Sequence, residues 1–113
     1  MRSASVCRAL AAAVLLASFA STAAAQDRGE RLVEQAHCGA CHKRSESSLG
    51  PPYVAIAARH APREDVMIEV LARKIVLGGG GSWGVVPMVP NQWVPIEDAR
   101  AMAEWILGLA PQN

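Results

Sequence analysis

Cys38-Gly39-Ala40-Cys41-His42 is the stretch that decides how this chain is built. Its C-x-x-C-H spacing is that of covalent c-type haem attachment. Two thiols three positions apart can add across the two vinyl groups of one porphyrin, and the next residue offers an imidazole to the iron, the usual proximal ligand. A redox dithiol and half of a zinc site use related spacings. The rest of the chain separates the three readings.

At the N-terminus, Arg2 and Arg8 precede an uncharged apolar run from Ala9 to Ala20, followed by the small residues Ser21 to Ala25. This is the pattern of a secretory signal peptide, with Ala23-Ala24-Ala25 as the cleavage site before Gln26. The apolar run is shorter than the ~20 residues that span a bilayer. The expected organisation is therefore a leader at 1–25, a single domain at 26–113, a periplasmic location and no membrane span after cleavage. Cys7 leaves with the leader, so Cys38 and Cys41 are the only cysteines of the exported chain. A bridge between them would close a very small loop and constrain little of the unfolded chain. No βαβ pattern surrounds them, as a thioredoxin-like dithiol would require. Zinc would need a second half, H-x3-5-H or another CxxC, and His37, His42 and His60 do not supply it. Haem is the reading that survives.

Charge excludes one partner class. Loss of Arg2 and Arg8 leaves nine basic against ten acidic residues, a net −1, and the whole-chain pI is about 7.8. A nucleic-acid binder would carry a basic patch. A domain of this size buries a modest core, to which an attached apolar macrocycle would add.

The class read from the pattern is all-α, with three to four short helices wrapped around one haem. Helix one is expected from about Asp27 to Gln35, with Asp27, Glu30 and Glu34 outward and Leu32, Val33 and Ala36 inward. Lys43 to Leu49 is serine-rich loop, and Gly50-Pro51-Pro52 stops regular structure before a helical turn over Tyr53 to Arg59. Helix two starts near Pro62, carries Glu64 and Asp65 at its positive end, and presents Val66, Ile68, Val70, Leu71, Ile75 and Val76 as its apolar face. Gly78 to Gly81 ends it, either as a loose linker or as backbone passing close to a bulky group. A last helix begins near Pro95 and packs Ile96, Met102, Trp105, Ile106 and Leu109 inward.

The sixth ligand of the iron is expected from Met88. Met67 and Met102 lie in amphipathic helices, where methionine fills gaps. Met88 instead sits between Pro87 and Pro90, whose restricted backbone fixes where its thioether can reach. His60 is the rival, on a charged stretch with Arg59 and Arg63, and reads as a surface histidine. His37 adjoins Cys38, too close along the chain to reach the same iron.

Together, C-G-A-C-H at 38–42, G-P-P-Y at 50–53, W-G-V-V-P-M-V-P-N at 83–91 and a final helix with A-x-W-I-L resemble the small bacterial class I cytochromes c, the c-551/c-552 group. The resemblance implies one covalent haem c held by Cys38 and Cys41, with His42 and Met88 as axial ligands. It implies that the Pro51 carbonyl accepts a hydrogen bond from His42, that Asn91 bonds near the Met88 sulfur, and that Trp83, Arg73 and Lys74 lie near the haem propionates. The segment Gln92 to Pro95, with Trp93, departs from the pattern.

Ligation on both axial sides leaves no open position, so the expected function is single-electron transfer between respiratory redox partners by a non-enzymatic monomer that docks transiently. Two other classes follow from the same residues. A displaceable Met88 would permit small-ligand binding or peroxidase chemistry, and a stable partner would make the chain the haem subunit of a larger dehydrogenase or reductase.

Overall fold

Alanine, the strongest helix former, dominates the first 25 residues, and neither glycine nor proline interrupts them before Gly29. The first helix accordingly does not begin at Asp27. In the computed structural model, which describes residues 3–110 with side chains from residue 19 onward, α1 runs unbroken over Ser3–Gln35. Arg2, the side chains of Cys7 and Arg8, and most of the leader's apolar run lie outside the described residues, as do the last three positions of the domain. Residues 19–28 are all exposed, and Gly29 is the first buried position. At 33 residues α1 is ~50 Å long, which gives the molecule its 68 Å axis against 30 and 22 Å across.

After α1 come a 3-10 turn over Cys38–Ala40, α2 (Tyr53–His60), a second 3-10 turn over Ala61–Arg63, α3 (Glu64–Leu77) and α4 (Ile96–Leu107). The only β-pairing among the described residues is an isolated antiparallel bridge between Gly79 and Met88. The fold is all-α, as the pattern implied.

The centre is α4, which buries Ala99, Ala101, Met102, Ala103, Trp105, Ile106 and Leu107. Its small residues let a neighbouring backbone come close. α1 crosses it at Gly29, where an added Cβ would lie 2.4 Å from Trp105 Cβ and 2.5 Å from the Ala101 carbonyl oxygen. Arg28 secures the crossing through a 2.6 Å ion pair with Asp98, and Arg100 links α4 to Glu69 of α3 and to Glu97.

On α3 the expected apolar face is partly wrong. Val66 and Val70 are about half exposed, and Met67, Ala72 and Ile75 are the buried residues. Positions 67, 71, 72 and 75 form one helical stripe, whereas 66 and 70 belong to the stripe beside it. A run this rich in apolar residues offers two adjacent faces, and contact with α4 selects between them. Val33, Ala36, Tyr53, Ile56, Ala72, Ile75, Val94, Met102, Trp105 and Ile106 form one core cluster with Ala99.

Candidate haem site

The attachment segment follows from how α1 ends. His37 takes a left-handed conformation (φ 56°, ψ 29°), tolerated by histidine more than by most residues, and turns the chain into the 3-10 turn. Cys41 N and His42 N both donate to the Cys38 carbonyl, at 3.1 and 2.9 Å. In 3-10 geometry residues i and i+3 eclipse, so Cys38 and Cys41 are brought to the same side. Both thiols are free and half-buried. Burial pushes the Cys38 thiol above its usual pKa, against a smaller lowering by its backbone hydrogen bond.

The loop that follows folds back on the attachment turn. Gly50 N donates to Cys41 O at 2.8 Å and Tyr53 N to Lys43 O at 3.0 Å, while Lys43 Nζ reaches Gly39 O at 2.6 Å. This closure sets Pro51 beside His42, whose Nδ1 lies 2.8 Å from the Pro51 carbonyl oxygen. A carbonyl only accepts, so Nδ1 carries the proton and Nε2 keeps its lone pair for a metal. Two residues given no role by the sequence reading complete the arrangement. A Cβ at Gly50 would lie 2.5 Å from His42 Cε1, so only glycine fits against that ring. Tyr53 stacks on the imidazole at 5.6 Å and 23°, and meets Trp105 edge-on at 5.3 Å. Its buried hydroxyl has no hydrogen-bond partner, and burial raises its pKa. The sequence pattern gives Gly50 a part in stopping regular structure and in the G-P-P-Y motif, but not this packing against the imidazole.

Met88 is positioned from the other side by backbone. Gly79 N donates to Met88 O and Met88 N to Gly79 O, each at 2.9 Å. Gly78 makes this possible: it ends α3 at φ 67°, and a Cβ there would fall 2.4 Å from the Met88 carbonyl oxygen. At Gly78 the glycine run therefore allows a close approach to the backbone of the Met88 segment. Asn91 braces the end of α3. Its amide Nδ2 donates to Ile75 O at 3.0 Å and Val89 O at 3.3 Å, and its backbone N to Ile75 O and Val76 O. It thus satisfies the otherwise orphaned carbonyls at the end of α3. Met88 and Cys38, distant in sequence, pack against the same core cluster.

Trp83 is about half exposed, with the Arg59 guanidinium 4.7 Å from its ring centroid; Arg59 also donates to Ser82 O at 2.9 Å. Arg59 thereby ties α2 to the glycine loop, a role the sequence pattern does not give it. Arg73 is exposed, and the half-buried Lys74 extends its ammonium towards Gly79. His60 is half-buried at the end of α2, where burial and then the Arg59 and Arg63 charges hold its imidazole below the usual pKa. A groove of about 520 Å³ lies behind the attachment turn, lined by Val33, Gly39, Ala40, Tyr53 and Trp105 among others. It includes neither His42 nor Met88, so it is not where the candidate ligands converge.

The family model for cytochrome c matches residues 26–110. This chain belongs to the cytochrome c family. It is 39% identical over 95 residues to cytochrome c-552 of Hydrogenobacter thermophilus, covering 84% of this chain and 95% of that one. Cytochrome c-551 of Ectopseudomonas mendocina is 42% identical over 81 residues, 72% of this chain and 96% of the relative. The crystal structure of wild-type Nitrosomonas europaea cytochrome c552 superposes with a TM-score of 0.66 at 41% identity, over 71% of this chain and 98% of that one. Membership makes the protein a monohaem electron-transfer cytochrome with one covalently attached haem c.

The residues present suit such a group. A paired thiol, an imidazole with a fixed tautomer and a clamped thioether supply the donor chemistry. Leu49 and Leu77, next to Gly50 and Gly78, are exposed apolar side chains, surface that an apolar macrocycle could cover.

Proposed function

We propose that the chain is exported to the periplasm after cleavage behind Ala25 and works there as a single-electron carrier, with haem attached through Cys38 and Cys41 and ligated by His42 and Met88. The observation that supports this reading is that Cys38 and Met88, far apart in sequence, both pack against one core cluster. When bound, haem supplies a one-electron iron couple.

Each residue has a definable task. Pro51 holds the His42 proton on Nδ1, which leaves the other nitrogen's lone pair for a metal and would strengthen it as a donor. Met88, a soft thioether, favours the reduced metal and raises the potential. Its pairing with Gly79 resists displacement, which supports electron transfer over small-ligand or peroxidase chemistry. Trp83, Arg73 and Lys74 would hold the haem propionates, where cations would offset carboxylate charge. Among the described residues no helix is long and apolar enough to cross a membrane. Val85, 97% exposed, with Val86 and Val89 offers an apolar surface for brief docking with a redox donor or acceptor through an interface below ~1,200 Å².

Optical spectra of the exported protein, oxidised and reduced, test the reading. A c-type pyridine haemochrome together with the weak far-red band of iron(III)–thioether ligation is expected. Haem without that band would remove Met88 as ligand, and absence of haem would remove the site.

A further inference from the structure

We infer that Gln26 is a modification site: once the leader is cut, it cyclises to pyroglutamate, leaving the mature chain with a blocked, uncharged N-terminus. The inference rests on the proposed cut behind Ala25, and its test separates the two.

Three observations converge on residue 26. The described leader residues from Phe19 to Ala25 are exposed, so the cut falls on accessible chain. Among the residues with described side chains, what holds α1 to the domain starts at Gln26: its side chain meets Gly108, Arg28 pairs with Asp98, and Gly29 lies against Trp105. The family match also begins at residue 26. Cleavage there removes none of these contacts and leaves glutamine first.

An N-terminal glutamine carries its own electrophile. The freed α-amine attacks its side-chain Cδ and a new C–N bond closes a five-membered lactam. The bond from Cδ to the amide nitrogen breaks, and that nitrogen leaves as ammonia with a proton from the amine. No oxidant or second substrate is consumed. The attacking amine must be unprotonated, and an α-amino group, with an ordinary pKa of about 7.7–8.0, meets this condition in part at neutral pH. Cyclisation swings the carboxamide carbon away from Gly108 and back to the chain's own nitrogen, at a position exposed enough to leave room for the ring. Gln26 is exposed, and its carboxamide sits where Gly108 has no Cβ, since one there would come within 2.6 Å of Nε2 and 3.1 Å of Cδ. The lactam also removes a positive charge from the end of the shortened α1 at which the helix dipole is itself positive.

Intact mass and N-terminal sequencing of the exported holoprotein decide the matter. The expected mass is that of residues 26–113 with haem, less one ammonia. Sequencing should be blocked until a pyroglutamyl aminopeptidase exposes Asp27. A Gln26→Ala variant should be unblocked, begin with alanine and keep the same absorption spectrum. A free Gln26 after incubation at neutral pH would overturn the modification and leave the cut standing. A different first residue, or a retained leader, would overturn both. A blocked Gln26→Ala terminus would overturn the assignment to Gln26.

Discussion

The histidine side and the methionine side of the site reach similar rigidity by different means. From Cys38 to Tyr53 order is local: one 3-10 turn, a loop closed onto it by Gly50 and Tyr53, and a prolyl carbonyl 2.8 Å from the imidazole. From Gly78 to Asn91 order is borrowed, because Met88 pairs with Gly79 and Asn91 fastens the segment to the last carbonyls of α3. A local device fails by distortion of one side chain. A borrowed one fails when its support moves.

The largest effect should come from the local side. His42→Ala removes the imidazole that the whole attachment loop is folded to orient, and stable low-spin holoprotein should be lost, as read by the pyridine haemochrome and the oxidised spectrum. A normal spectrum in this variant would refute the site assignment.

Next come the two glycines, which set the halves against each other. Gly50→Ala drives a methyl to within 2.5 Å of the His42 ring, and Gly78→Ala drives one to within 2.4 Å of the Met88 carbonyl at a positive φ. Each should cost about 1–3 kcal/mol in chemical denaturation. Their spectra should differ: the Gly78 variant should weaken the far-red thioether band, whereas the Gly50 variant should keep it. Equal loss of the band in both would mean that the halves are not independent.

Asn91→Ala is a gentler blow to the borrowed side. It removes the side-chain bonds to Ile75 and Val89 and keeps the backbone bonds, so about 1 kcal/mol of stability should go. If Asn91 acts as a brace for α3, hydrogen exchange should accelerate at the end of that helix as the band weakens. A weakened band with unchanged exchange would return Asn91 to the sulfur.

The same contrast governs how much could be read from the sequence. The turn, the loop stop at Gly50-Pro51-Pro52 and the amphipathic α4 are short-range patterns, and they were legible, as was the all-α class. The unbroken α1 was not anticipated, because the leader was read as a separate segment although alanine continues a helix wherever it stands. The α3 face was misjudged by one stripe, since Val66 and Val70 are as apolar as the residues that are buried. Gly79, Asn91 and Arg59 act through backbone groups far away in sequence, and a carbonyl leaves no trace in composition or periodicity. Tyr53 stood inside a quoted motif, yet its stacking on His42 depends on loop closure.

The smallest effect should come from a contact that serves both halves equally. Glu69 of α3 meets Arg100 of α4, and the Arg100 hydrogen bond holds its carboxyl below the usual carboxylate range. A carboxylate depressed on folding stabilises above its unfolded pKa, and that contribution disappears as the pH falls through the lower folded value. The pair is exposed and open to screening by salt, so Glu69→Gln should leave the neutral-pH denaturation midpoint and the far-red band within error, and slightly flatten the acid limb of the stability curve. If it weakened the band instead, the packing of α3 on α4 would be setting the Met88 position. The borrowed side would then extend through Ile75 and Val76 to the middle of the molecule.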